Sequence, residues 1–197
     1  EHSRHERADP FPDLVDLLID GPGEEQLLAV CGVQAPAGKQ YSPDYTSPAL
    51  TSILESPPDA YLSPLRILPY SASSGCYWSR CAFCPEQAEG SAYTPVAPDI
   101  LTRDLQNLVS SYRPGLIHFL DNALSPLHLK TLIAHPPGAP WYGFARITKH
   151  LLDPDFCAAL RHSGCVMLQL GLESGDNRVL ESMQKGITVE NAAQALI

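Results

Sequence analysis

The chain has 197 residues, of which 44% are hydrophobic and 18% charged, so it is too apolar for a disordered chain and can build a core. Its 13 basic and 22 acidic residues give a net charge of −9, which disfavours general binding to nucleic acids. The longest unbroken apolar run covers about residues 27–33, which is too short to span a membrane, and the 19 prolines exclude a long helical bundle.

The first predicted elements are a buried strand at residues 14–20 and a short helix at residues 24–31, joined by a Gly-Pro-Gly turn. One strand and one helix cannot bury their apolar faces alone. We therefore expect residues 1–32 to be the C-terminal remnant of a Rossmann-like α/β domain whose earlier part is missing. Residues 33–64 contain six prolines and little periodicity, which predicts a linker.

Residues 65–197 alternate between predicted strands and predicted helices. The strands are predicted at residues 65–70, 116–121, 141–146 and 166–172. The helices are predicted at residues 100–112, after Ser125-Pro126, after Asp153-Pro154, at residues 177–184 and after Thr188. About four successive βα units predict an α/β fold, with a parallel sheet that forms part of a (β/α) TIM-like barrel.

Three of the six cysteines fall within nine residues, directly after the first strand of this region. A disulfide framework would spread its cysteines in pairs, and no export signal is seen, so a metal centre in a reducing cytoplasm explains the group better. Cys76, Cys81 and Cys84 have C-x4-C-x2-C spacing, and soft thiolates select zinc or an iron–sulfur cluster. Structural zinc needs a fourth ligand, whereas a 4Fe–4S cluster held by three cysteines leaves one iron open. The other cysteines are expected to be buried thiols of the core: Cys31, Cys157 and Cys165.

The segment from Gly75 to Cys84 resembles the cluster motif of the radical S-adenosylmethionine (SAM) superfamily. That motif is usually C-x3-C-x2-C with an aromatic residue before the last cysteine; here Phe83 is the aromatic residue and the first spacing is one residue longer. Residues 170–175, Leu-Gly-Leu-Glu-Ser-Gly, and the later Lys185-Gly186 are similar to the fourth-strand region of the superfamily. Residues 14–28 resemble the end of a cobalamin-binding domain, and Ile-Leu-Pro-Tyr at residues 67–70 resembles the start of the cluster segment in that subgroup.

This resemblance implies a mechanism in which Cys76, Cys81 and Cys84 bind a 4Fe–4S cluster, and the open iron binds the amino and carboxylate groups of SAM. Reductive cleavage of SAM gives methionine and a 5′-deoxyadenosyl radical, which takes a hydrogen from a small-molecule or peptide substrate. An electron donor such as a flavodoxin or ferredoxin is implied as a partner. In the cobalamin-dependent subgroup, bound cobalamin adds methyl transfer.

Four further residues are candidates for binding SAM, because they follow or end predicted strands at the edge where α/β folds bind ligands. Glu173 is expected to accept hydrogen bonds from the SAM amino group or ribose, and Arg146 to pair with the SAM carboxylate. Asp121 is a candidate for the amino group, and Phe83 for packing beside the adenine. The structural alternatives are a carboxylate near a helix start, an ion pair, a cap or loop residue, and a core aromatic residue, respectively.

Two other functions stay open at this point. A methylthiotransferase-like radical SAM enzyme would need a second cluster, and the sequence has no second cysteine triad. A non-catalytic iron–sulfur or zinc module would neither bind nor cleave SAM.

The sequence contains four βα units, whereas relatives usually have six. It also contains neither the glycine-rich start of a cobalamin-binding domain nor an Asp-x-His-x-x-Gly motif. We therefore expect an internal piece of a longer enzyme.

Overall fold

The structure is a computed structural model that describes residues 19, 23–34, 65–90 and 92–196. The chain divides into two compact units, Glu1–Lys39 and Gln40–Ile197. The strand predicted at residues 14–20 and almost all of the predicted linker lie outside the described residues, apart from residues 19, 33 and 34.

In the first unit, helix α1 covers Glu24–Val30, which confirms the helix predicted there. Cys31 is the C-cap residue of this helix and is exposed, so its predicted burial in a core is wrong. The physical reason is its position after the last turn, beside the exposed Ala29 and Val30.

The strands of the second unit form one parallel sheet and one short hairpin. They are β1 (Ile67–Tyr70), β2 (Ser73–Ser74), β3 (Thr94–Pro95), β4 (Leu116–Leu124), β5 (Trp141–Ala145) and β6 (Cys165–Leu170). The parallel sheet has the order β1-β4-β5-β6, and β2 pairs with β3 in an antiparallel hairpin. Each strand predicted in residues 65–197 is present, although β4 continues beyond residue 121 and β6 ends before residue 172.

The helices of the second unit follow the strands, as alternating βα units require. They are α2 (Pro85–Glu89), α3 (Pro98–Tyr112), α4 (Pro126–Ala134), α5 (Pro154–His162), α6 (Asn177–Ser182) and α7 (Val189–Ala195), with a 3₁₀ turn at Lys149–Leu152. The predicted caps are confirmed: the side chains of Ser125, Asp153 and Thr188 accept hydrogen bonds from backbone N–H groups of the first turn. Among the described residues, no helix combines the length and apolar character needed to cross a bilayer.

The core lies between these helices and one face of the parallel sheet. Alternate residues of the strands point into it, and Leu68, Ile117, Phe119 and Trp141 are all completely buried. Cys157 and Cys165 were predicted as buried thiols of the core; they are only half-buried, and they pack against this core. The opposite face of the sheet leaves large side chains exposed: Leu120, Phe144 and Met167.

The sheet is open in the described part of the chain, with β1 and β6 at its two edges. Closure into a barrel therefore stays a prediction, as does the Rossmann-like remnant. All four strands run parallel, so their carboxyl ends meet at one edge of the sheet. We call this edge the rim; the cysteine loop, Asp121, Arg146 and Glu173 all lie at or just beyond it.

Candidate functional site

The three clustered cysteines lie between β2 and α2, close to the carboxyl end of β1. All three are free; Cys81 is buried, while Cys76 and Cys84 are half-buried. Cys84 is the N-cap residue of α2, and its N–H donates to the Cys81 carbonyl oxygen at 3.0 Å. The loop therefore folds back on itself between its second and third cysteines, which holds these two residues close together.

Among the described residues, no group of three or more cysteine, histidine or acidic side chains is arranged to hold a metal ion. A 4Fe–4S cluster requires a different arrangement of ligands. Each thiolate binds a different iron atom, so the thiolates need not converge on one point. The donor set fits such a cluster: three free thiols lie in one loop, and the Arg146 guanidinium is 3.6 Å from the Cys81 sulfur. A nearby cation stabilises a thiolate.

The side chain of Trp78 connects the cysteine loop to the segment that follows α6. Its indole Nε1–H donates to the Gln184 carbonyl oxygen at 3.1 Å, and the Ala82 N–H donates to the Met183 carbonyl oxygen at 3.0 Å. The indole lies directly on Gly186, where a Cβ atom would come within 2.2 Å of the ring. Two motifs that are about 100 residues apart in the sequence are therefore packed directly against each other.

Arg146 follows the last residue of β5 and extends beneath the cysteine loop. It is only 8% exposed, and its guanidinium lies over the Trp78 ring at 4.2 Å from the centroid. Nη1 donates to the Cys81 sulfur at 3.6 Å, and Nη2 donates to the carbonyl oxygen of Lys185. Burial raises the pKa of the neighbouring Tyr77 hydroxyl to about 12, although the positive charge of Arg146 opposes the shift.

Glu173 and Lys185 form an ion pair at the rim, with 2.9 Å between Oε1 and Nζ. The Lys185 side chain is almost buried, whereas that of Glu173 is 38% exposed. Glu173 has a φ of 69°, a left-handed conformation that is costly for a residue with a side chain and is common at functional sites. This pair joins the two parts of the second motif, Gly-Leu-Glu-Ser-Gly and Lys-Gly.

A cavity of about 260 Å³ opens at the rim beside this pair. Its lining includes polar and charged residues from three strand ends, Asn122, Arg146, Gln169 and Glu173, together with Lys185 from the segment after α6. The structure thus brings together Arg146 and Glu173, two of the four residues predicted to bind SAM. A few converging polar groups in a concave site are typical of a cofactor pocket.

The other two predicted residues lie outside the lining of this cavity. Asp121 is 2% exposed, and its carboxylate accepts hydrogen bonds from the Ala72 N–H at 2.9 Å and the Ser73 hydroxyl at 2.5 Å. It therefore holds the start of the cysteine segment to β4. Phe83 is 51% exposed, which excludes the core-aromatic alternative, and the Lys185 ammonium lies 5.5 Å from its ring centroid.

Neither Lys185 nor Trp78 was predicted from the sequence as a residue of this site. Both belong to segments that were singled out as motifs, but nothing local in the sequence shows that Lys185 pairs with Glu173 or that Trp78 packs on Gly186. Two sequence features could have pointed to these contacts: a tryptophan inside the cysteine loop, and a lysine–glycine pair one helix after a glutamate.

Comparison with family models finds no match, and comparison with curated proteins finds none either. Among solved structures, the chain is similar to the cobalamin-dependent S-adenosylmethionine radical enzyme OxsB with aqua-cobalamin bound, at 18% identity and a TM-score of 0.62, over 90% of this chain and 30% of that one. OxsB with both aqua-cobalamin and S-adenosylmethionine bound gives the same values. Apo OxsB gives 21% identity and a TM-score of 0.53, over 66% of this chain and 21% of that one.

The chain therefore spans less than a third of the length of these enzymes. At such low identity the likeness shows the fold alone. The chain shares its fold with part of the OxsB structure.

Proposed function

We propose that this chain is part of a radical SAM enzyme, in which Cys76, Cys81 and Cys84 bind a 4Fe–4S cluster and the rim cavity binds SAM. The observation that carries the proposal is the anchoring of a C-x4-C-x2-C loop at the rim of the parallel sheet, beside a cavity lined by buried cations. The fold shared with part of OxsB supports it.

When bound, the cluster would supply the electron that cleaves SAM to methionine and a 5′-deoxyadenosyl radical. The chain's own residues bind, orient and shield these groups. Glu173 is half exposed at the cavity and can accept hydrogen bonds from the SAM amino group or ribose hydroxyls. Arg146 also lines the cavity, and a guanidinium carries five N–H donors, so it has capacity to bind the SAM carboxylate.

The proposal extends to the roles of Phe83 and Asp121 and to the organisation of the chain. Phe83 would pack beside the adenine, and the buried Asp121 would act on the SAM amino group only after giving up a hydrogen bond to β2. Residues 1–32 would be the remnant of a cobalamin-binding domain, 33–64 a linker and 65–197 the first part of a radical SAM barrel.

The whole enzyme would use cobalamin for methyl transfer and would work in the cytoplasm. Its partners would be an electron donor such as a flavodoxin or ferredoxin and a small-molecule or peptide substrate. The fold likeness to a cobalamin-dependent enzyme supports the cobalamin part of this proposal.

The proposal is tested by anaerobic reconstitution with iron and sulfide, followed by electron paramagnetic resonance (EPR) of the reduced protein with and without SAM. We expect a 4Fe–4S signal that changes when SAM is added. Cys81→Ala should abolish the signal because it removes the most buried of the three thiols. Cys157→Ala is the matched control, since Cys157 is a half-buried thiol outside the loop and should leave the signal intact.

Two results would contradict the proposal. Uptake of zinc without any cluster would indicate a zinc module. A cluster whose signal does not respond to SAM would indicate an electron-transfer module.

A further inference from the structure

The contact between Arg146 and Cys81 joins the end of β5 to the cysteine loop across 65 residues of sequence. Three contacts hold the guanidinium in place: Nη1 to the Cys81 sulfur at 3.6 Å, Nη2 to the Lys185 carbonyl oxygen, and the Trp78 ring 4.2 Å from its central carbon. Because both terminal nitrogens and one face of the group are engaged, the guanidinium has little freedom to turn away from the sulfur.

Both partners of this contact are shielded from water. Cys81 and Arg146 are each 8% exposed, and the neighbouring Lys185 is 6% exposed. A charge-assisted hydrogen bond is stronger in such a low-dielectric environment than in water. The contact therefore acts on the electrostatics of any group that Cys81 holds.

We propose that Arg146 is a positioning residue that donates a hydrogen bond to the thiolate of Cys81 and thereby raises the reduction potential of the cluster. This inference rests on the proposed function. Hydrogen bonds to the sulfurs of an iron–sulfur cluster and its net charge both set the potential. The reduced cluster carries one more negative charge than the oxidised cluster, so a fixed positive donor stabilises the reduced state more.

The test is the midpoint potential of the reconstituted cluster, measured by a redox titration followed by EPR. Arg146→Gln removes the charge and shortens the donor, so we expect an equilibrium constant for reduction at least tenfold lower, which is about 59 mV for a one-electron couple. Arg80→Gln is the matched control. Arg80 is exposed and also lies over the Trp78 ring, with its guanidinium carbon 5.2 Å from the centroid.

The control separates a specific hydrogen bond from loss of charge near the loop. We expect Arg80→Gln to change the equilibrium constant by less than threefold. Equal shifts in the two variants would overturn the inference, and so would an unchanged potential in Arg146→Gln.

Two measurements keep the test decisive if Arg146→Gln does not fold. Arg146→Lys keeps the charge but lacks the planar guanidinium that reaches both the Cys81 sulfur and the Lys185 carbonyl oxygen. The reduction potential of the cluster should therefore also fall in this variant. In the unsubstituted protein labelled with ¹⁵N-arginine, pulsed EPR should detect coupling of a guanidinium nitrogen to the reduced cluster, and Arg80→Gln should retain that coupling. Absence of the coupling would overturn the inference.

The outcomes distinguish this inference from the proposed function. A cluster that responds to SAM but has the same potential in all variants would leave the proposed function standing and refute the role of Arg146. Failure of the unsubstituted protein to bind any cluster would refute both.

Discussion

At the scale of single residues, three of the four non-glycine residues with positive φ in the described part of the chain lie in the cysteine loop or in the segment that follows β6; the fourth, Arg113, is the C-cap of α3. Ser79, Glu173 and Gln184 are non-glycine residues with positive φ, and each such conformation costs about 1–3 kcal/mol. Gln184 presents its carbonyl oxygen to the Trp78 indole, and Glu173 presents its carboxylate to Lys185. These contacts hold Gln184 and Glu173 in unfavourable conformations, as is common at functional sites.

Gly186 is the residue where this geometry is most easily disturbed. In Gly186→Ala, the new methyl group would collide with the Trp78 ring, and φ of 69° would strain the backbone. Gly90→Ala is the matched control because φ there is 67° but no atom lies within 4 Å of the new methyl group. We expect Gly90→Ala to cost about 1–2 kcal/mol and Gly186→Ala about 1–3 kcal/mol more.

Urea unfolding gives these two free energies, and acrylamide quenching reports whether the Trp78 ring has moved. The protein has two tryptophans, and Trp141 is completely buried, so a rise in quenching is assigned to Trp78. Equal destabilisation by the two substitutions, with unchanged quenching, would contradict the close packing of Trp78 on Gly186.

At the scale of elements, an irregularity in β4 places the buried carboxylate of Asp121 where it supports the hairpin. The pairing of β4 with β5 is regular up to Phe119 and Gly143, and then shifts so that Leu124 pairs with Ala145. The residues of β4 at this shift place Asp121 beside Ala72 and Ser73, at the junction between β1 and β2. A single side chain therefore ties the hairpin of β2 and β3 to the parallel sheet.

Asp121 also gives stability a dependence on pH. Burial raises its pKa from the ordinary value of 3.8, and the hydrogen bonds from Ser73 and Ala72 only partly oppose this shift. The folded state therefore binds the proton more tightly than the unfolded state. The contribution of Asp121 to the free energy of unfolding should fall as the pH rises from 3.8 through the folded pKa.

Asp121→Asn should remove this fall, because an amide can still accept from the Ala72 N–H and can donate to the Ser73 hydroxyl oxygen without titrating. Asp121→Ala should lose about 1–3 kcal/mol, because it leaves buried donors without partners. Urea unfolding of the three proteins between pH 4 and 8 tests both expectations (about four pH values suffice). A difference between Asp121→Asn and the unsubstituted protein that does not change with pH would contradict the first expectation, and an Asp121→Ala protein as stable as the unsubstituted one would contradict the second.

At the scale of the whole molecule, the chain is organised as two compact units, and the described parallel sheet belongs to the second, Gln40–Ile197. One face of that sheet packs against helices, while the other exposes Leu120, Phe144 and Met167. Parallel sheets are normally covered on both faces.

The division into units predicts that the second unit folds without the first. A protein of residues 40–197 should keep the cooperative thermal unfolding of the full chain and the same EPR signal after reconstitution, because the described core and all three loop cysteines lie within it. Circular dichroism and EPR provide the measurements. Loss of cooperative unfolding on removal of residues 1–39 would show that the two units depend on each other.

Much of the second unit could be predicted from sequence because its signals are local. Apolar runs marked the four parallel strands, and Ser125-Pro126 and Asp153-Pro154 marked two helix starts. The hairpin of β2 and β3 was missed because two-residue strands are too short to show a period. The end of β4 was missed because the shift after Phe119 depends on how β4 pairs with β5.

The sequence by itself determined the order of the four parallel strands with the main helices between them, and the presence of three clustered thiols, since both follow from residue types at short spacing. Only the tertiary structure decided which distant groups meet: Arg146 with Cys81, Trp78 with Gly186, and Lys185 with Glu173. Such contacts depend on the packing of whole elements, and one buried guanidinium can satisfy several partners. The spacing of residues along the chain carries no information about which of these partners it takes.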